Sequence, residues 1–175
     1  EKGQGKEALK LYAQMFYDHV NIDLATFVVV LQACGLLVAG GKLESNSNLN
    51  TAMCLEIGHA LHSQIRRDGI VSNSFIASAL ISLYGKCKMI IMAEYVFTSM
   101  IEPSVVLWNA MFSAYLESDQ GEKALQLYTQ MREENVSPDD ATYVCMMKAC
   151  GRTRITGNII REIHAEIARR ELPEK

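Results

Sequence analysis

The chain repeats itself. Residues 4–35, QGKEALKLYAQMFYDHVNIDLATFVVVLQACG, align without a gap to residues 120–151, QGEKALQLYTQMREENVSPDDATYVCMMKACG, and 16 of the 32 positions are identical. Self-similarity constrains a fold more than composition does, because each copy has to form the same supersecondary unit. The only three prolines, Pro103, Pro138 and Pro173, are spaced 35 residues apart. Proline interrupts helices, so equal spacing points to structural units of about that length.

The offset between the two long copies, 116 residues, is not a multiple of 35. A second matching pair resolves it: LHSQIRRDGI, with Leu61-His62, and IHAEIARREL, with Ile163-His164, lie 102 residues apart. The difference of 14 residues is an insertion in the earlier unit. It falls at about residues 38–53, where the Gly, Ser and Asn content predicts a loop. The corrected spacing divides into units of 36, 31 and 35 residues.

Each unit reads as two helices. In residues 105–139, Leu107, Ala110, Met111, Ala114 and Tyr115 form one apolar stripe, and Ala124, Leu125, Leu127, Tyr128 and Met131 form a second. Ser118-Asp119-Gln120-Gly121 separates them and offers a cap to the second helix; Val136-Ser137-Pro138-Asp139 ends the unit. One helical hairpin cannot bury its own apolar faces, whereas stacked hairpins can. An all-α solenoid, held together by nearest-neighbour interfaces, follows. No alternating pattern of the strand type competes.

Composition narrows the functional classes. Seventeen Lys and Arg against twenty Asp and Glu leave a net charge of −3, without the strong basic field of a domain that grips nucleic acid by charge alone. No apolar run reaches the ~18 residues of a membrane span. The five cysteines, Cys34, Cys54, Cys87, Cys145 and Cys150, are odd in number and form no CxxC. They fit small buried hydrophobes in a reducing compartment better than a disulfide framework. Asn135-Val136-Ser137 matches a glycosylation sequon but lacks a secretory context. The chain begins at Glu1, inside a helical pattern and without an initiator Met, so it reads as a fragment or processed product whose targeting the N-terminus does not display.

The Trp, Leu-Gly and Tyr pattern of the tetratricopeptide repeat is absent. Residues 105–139 instead resemble a full 35-residue P-type pentatricopeptide repeat. Residues 74–104, with LYGKC and AEYVFTSM, resemble the 31-residue S type. Residues 140–175, with KACG and REIHAEI, resemble an L type, and residues 24–73 a second L type carrying the insertion. Residues 1–23 resemble the second helix of an earlier P type. The order P-L-S-P-L is that of the plant organellar PLS subclass. The resemblance implies a right-handed α-solenoid of helix-turn-helix repeats. It also implies sequence-specific binding of single-stranded RNA, one base per repeat, with no cofactor and no catalysis by the array itself.

In that family the fifth and last residues of each repeat choose the base. Here these are Val28 and Asn73, Ser78 and Ser104, Asn109 and Asp139, and Val144 with Glu174 or Lys175. Asn109 with Asp139 resembles a uridine reader. Ser78 resembles a purine reader, though Ser104 stands where Asp or Asn is usual; Val28 and Val144 cannot hydrogen-bond a base edge. Second-position residues sandwich the bases: Ala25, Phe75, Val106 and Ala141. Phe75 alone among them is aromatic. Position 13 approaches the phosphate: Lys86 and Arg152 suit that role, Leu36 does not, and Glu117 would repel it.

Each assignment has a structural reading beside it. Asn109 and Asp139 could cap helices. Phe75 could pack between repeats, and Lys86 and Arg152 could be solvated surface charges. Trp108 suits a helix interface better than an RNA base. Arg66-Arg67 and Arg169-Arg170 lie on second helices and so face outward.

Chemistry is hard to find in the sequence. His164-Ala165-Glu166 matches the first half of the zinc deaminase motif, but the nine residues after it contain no cysteine. His59 and His62 share a helix face near Cys54, yet zinc would need further ligands. The resemblance therefore implies a binding segment in a mitochondrion or chloroplast, acting in RNA processing or C-to-U editing with a deaminase or other processing protein in trans, and no membrane. The alternative is a structural subunit of an organellar ribonucleoprotein such as a ribosome, for which the net acidity, the Ser78/Ser104 pair and the insertion speak.

Overall fold

A computed structural model describes residues 2–18, 23–40, 47–69, 73–153 and 158–171. They form helices α1 (Lys2–Tyr17), α2 (Leu24–Gly40), α3 (Ser47–Arg67), α4 (Ser74–Lys86), α5 (Ile90–Thr98), α6 (Val105–Glu117), α7 (Gly121–Glu133), α8 (Asp140–Arg152) and α9 (Asn158–Glu171). No strand occurs among the described residues, and none of their helices is long and apolar enough to cross a membrane.

The helices alternate between two layers. In one layer α2, α4, α6 and α8 stack in succession. In the other, α3, α5 and α7 each pack on the first-layer helix before and after them and α9 packs on α8, while neighbouring second-layer helices meet through side chains such as Lys123–Glu94 and Arg132–Glu166. The backbones of the first-layer helices approach one another more closely than those of the second layer, so the first layer is the inner, concave side of such a stack. This is the all-α solenoid expected from the repeats.

Sequence explains where these helices begin. Each concave-side helix follows a residue of the capping type: Asp23, Asn73, Ser104 and Asp139. Asp23 accepts a hydrogen bond from Thr26 N–H at 2.8 Å, and Asn73 accepts from Phe75 and Ile76 N–H at 3.0 and 3.3 Å. Three hairpin or unit ends share one stop signal. Lys88, Asp119 and Asn135 adopt positive φ of 59°, 55° and 58°. The next N–H then reaches back to an orphan carbonyl, Met89 to Tyr84 at 2.8 Å, Gln120 to Tyr115 at 2.9 Å and Val136 to Met131 at 3.0 Å. Asp119 is thus spent on ending α6. The cap expected for α7 does not form: Gln120 occupies that position and makes no side-chain capping bond.

The apolar stripes are buried as the periodicity predicts, but concave-side helices bury more than one stripe. In α6, Trp108, Phe112 and Leu116 are buried beside Leu107, Met111, Ala114 and Tyr115, because α4, α5, α7 and α8 all pack on this helix. Trp108 is fully buried, edge-on to Phe97 with ring centroids 4.9 Å apart, and its indole N–H donates to the Pro103 carbonyl at 3.2 Å. A Cβ on Gly85 would lie 2.6 Å from Ala114 Cα, so the absence of a side chain there sets the approach of α4 to α6.

The insertion differs from the expected loop. α2 runs on through Val38 to Gly40, and α3 begins at Ser47 and extends for 21 residues. Most of residues 38–53 is therefore helical, and only 41–46 fall outside the described residues. Burial outweighs the loop-like composition: Val38 and Cys54 are buried in the core, which anchors both helix extensions.

Candidate RNA-binding face

The concave-side helices begin at residues 24, 74, 105 and 140, so equivalent positions of successive units form columns along the stack. At the fifth position of α6, Asn109 Nδ2 donates to Asp139 Oδ1 at 2.9 Å. Asn109 lies within the helix and does not cap it; Ser104 holds the cap position. Asp139 does cap α8, accepting from Thr142 N–H at 2.8 Å. The Thr142 hydroxyl accepts from Asp139 N–H at 3.2 Å. It lies 2.7 Å from Asn109 Oδ1 and 2.9 Å from Asp139 Oδ1, so its one proton serves one of the two. Partial burial works to raise the Asp139 pKa, but the hydrogen bonds from Thr142, Asn109 and Ala141 outweigh it and hold the carboxyl below its ordinary value. The fifth residue of one unit and the last of the same unit, 30 positions apart, thus form one fixed polar cluster that includes an anion. Asn109 retains one amide hydrogen and Asp139 its second carboxylate oxygen for a partner.

Other columns differ. Val28 is half-buried and Val144 exposed on the same face. Ser78 donates its hydroxyl to the Phe75 carbonyl at 2.9 Å. Ser104 Oγ is buried and has no hydrogen-bond partner among the described residues, so it does not reach the surface where a base would lie. Asn73 spends its carbonyl oxygen on capping α4 and keeps its amide hydrogens. Glu174 and Lys175 lie outside the described residues.

All four second-position residues are exposed: Ala25, Phe75, Val106 and Ala141. Phe75 is 73% exposed and so does not pack between repeats. It borders a groove of about 380 Å³ between α2 and α4, together with Val28, Gln32, Ser78 and Lys86. The Lys86 side chain lies across Gly35, its ammonium 3.1 Å from where a Cβ would sit, and it pairs with no carboxylate among the described residues. Arg152 is engaged differently. Its Nη1 donates to the Leu116 carbonyl at 2.5 Å and lies 3.6 Å from Asp119, binding α8 to the C-terminal end of α6.

The remaining candidates have structural surroundings. His62 is buried, with Nδ1 3.1 Å from the Tyr84 hydroxyl. Burial, then the nearby Arg66 and His59, push its pKa down. Burial likewise raises Tyr84 to about 12. Among the described residues no group of three or more His, Cys, Asp or Glu is arranged to hold a metal ion. On the outer side Arg66 lies 5.8 Å from the Tyr95 ring centroid, and Arg169 pairs with Glu166 at 3.2 Å. Sequence reasoning passed over Thr142 and Gln32. The Asp139-x-x-Thr142 spacing of a capping box would have found the first, and the position four after Val28, on the same helix face, the second.

Fold and columns together define an α-solenoid of helical-hairpin repeats that presents one variable position per unit, polar in Ser78 and Asn109 and apolar in Val28 and Val144. Its family follows from comparison. Residues 75–104 match the PPR repeat and residues 103–152 the PPR repeat family. A mitochondrial pentatricopeptide repeat-containing protein of Arabidopsis thaliana is 29% identical over 98% of this chain, which covers 19% of that relative. The chloroplastic Arabidopsis protein CRR2 is 32% identical over 86% of the chain, covering 21% of CRR2. The crystal structure of the maize pentatricopeptide repeat protein PPR10 superposes with a TM-score of 0.64 at 21% identity, over 98% of this chain and 23% of that one. Residues 75–152 thus carry pentatricopeptide repeats, and the chain spans about a fifth of the length of these curated relatives.

Proposed function

We propose that the concave side binds single-stranded RNA, one base per unit, and that Asn109 with Asp139 selects uridine. The observation that carries this reading is the Asn109–Asp139 hydrogen bond, which holds two polar side chains from opposite ends of one unit together on the stack's open face. A base edge needs a donor and an acceptor side by side, and this pair retains one of each. Phe75, the one aromatic among the second-position residues, supplies a face for stacking, and Lys86, which pairs with no carboxylate among the described residues, a cation for a phosphate. The unit order P-L-S-P-L and the boundaries 1–23, 24–73, 74–104, 105–139 and 140–175 belong to the same reading. So does a place in a mitochondrion or chloroplast, for which the relatives' printed names speak. The segment positions a transcript for processing or C-to-U editing carried out by a partner protein.

With net charge −3 and Arg152 held by Leu116 and Asp119, few phosphates are neutralised. Fluorescence anisotropy of the full-length protein with short single-stranded RNAs at two salt concentrations tests the reading. Binding with a shallow salt dependence, equivalent to about one or two phosphate contacts in this segment, is expected. Equal affinity for duplex RNA, or none for single strands, contradicts it.

A further inference from the structure

Val28 leaves its unit without a polar group at the fifth position, yet the groove beside it is not apolar. Gln32 lies one helical turn further along α2, on the same face, and lines the same groove of about 380 Å³. It is exposed and makes no hydrogen bond among the described residues. Its neighbours are committed elsewhere or differ in chemistry. Ser78 donates to the Phe75 carbonyl, and Lys86 offers only a charge. Ser82 also lines the groove, but its hydroxyl carries donor and acceptor on a single oxygen. Gln32 is the one amide among the lining residues, with a donor and an acceptor on adjacent atoms.

We infer that Gln32, rather than Val28, reads the base in this unit, and that the base it favours is adenine. This rests on the RNA-binding reading above. A glutamine amide pairs bidentately with the adjacent donor and acceptor of an adenine edge. The Phe75 ring, 73% exposed at the groove wall, stacks best on the larger purine face. Lys86 stands at the α2–α4 seam, where its ammonium meets the backbone phosphate of the same nucleotide. Base, ring and phosphate are thus met by Gln32, Phe75 and Lys86 from two adjacent helices.

The test uses the full-length protein and an oligonucleotide set in which uridine is fixed opposite Asn109/Asp139. The nucleotide two steps from it, on either side, is varied through all four bases. Wild type should prefer adenine at one of these two places by about fivefold or more. Gln32→Ala should abolish that preference while leaving discrimination for the fixed uridine intact, and Val28→Ala should leave both intact. Adenine preference that survives Gln32→Ala, or no preference in wild type, overturns the assignment to Gln32 but not the RNA reading, which the uridine discrimination reports independently. Absence of binding by wild type overturns both.

Discussion

Lys88, Asp119 and Asn135 share a left-handed backbone that costs a residue with a Cβ roughly 1–2 kcal/mol relative to glycine. Lys88 has neither the short polar side chain of Asn or Asp nor the freedom of Gly. Lys88→Gly should raise stability by about 0.5–1 kcal/mol in urea denaturation. Two glycines that look equivalent in sequence should respond oppositely to alanine. At Gly85 the new Cβ meets the Ala114 backbone at 2.6 Å, so α4 and α6 have to separate, and Gly85→Ala should cost about 1–2 kcal/mol. At Gly35 it meets only the movable end of Lys86, at 3.1 Å. The helix propensity of alanine then wins, and Gly35→Ala should gain up to about 1 kcal/mol. Thermal unfolding of the two variants side by side checks the opposite signs.

At the level of elements, α3 and α4 meet around His62 and Tyr84, two polar groups buried against each other. The folded pKa of His62 is depressed, chiefly by burial. As pH falls below about 6.5, the unfolded chain takes up a proton at this histidine before the folded chain does. Stability contributed by neutral His62 is present above that value and is lost progressively toward the lower folded pKa. His62→Gln should show a smaller loss over the same range, measured by urea midpoints at several pH values. The sequence displayed α6 and α7 clearly, because their apolar stripes and flanking turns repeat elsewhere in the chain. It misled at residues 38–53, where Gly, Ser and Asn favour a loop locally while Val38 and Cys54 are pulled into the core. Tertiary burial of a few apolar residues decides such segments, and no local pattern reports it.

Over the whole molecule, the repeat offset alone places the site columns, because equivalent residues of stacked hairpins fall in line along one face. What the offset does not reveal is how far each side chain is already committed. Asn109 and Asp139 bond to each other across the unit, Ser104 is buried, and Arg152 is drawn to the end of α6. These depend on contacts between residues some thirty or more positions apart, which sequence spacing does not encode. The columns are consequently uneven. One unit carries an assembled polar pair, the seam between two others an aromatic groove with an amide beside it, and the last unit presents an exposed valine.

The measurement that tests the central claim most directly is binding of the full-length protein, wild type and Asn109→Ala, to four single-stranded RNAs differing only at the base opposite Asn109/Asp139. A uridine preference of about fivefold or more in wild type, lost in Asn109→Ala with affinity for the other three bases little changed, is the predicted result. Binding that is indifferent to that base in wild type, or a uridine preference that persists in Asn109→Ala, contradicts the account.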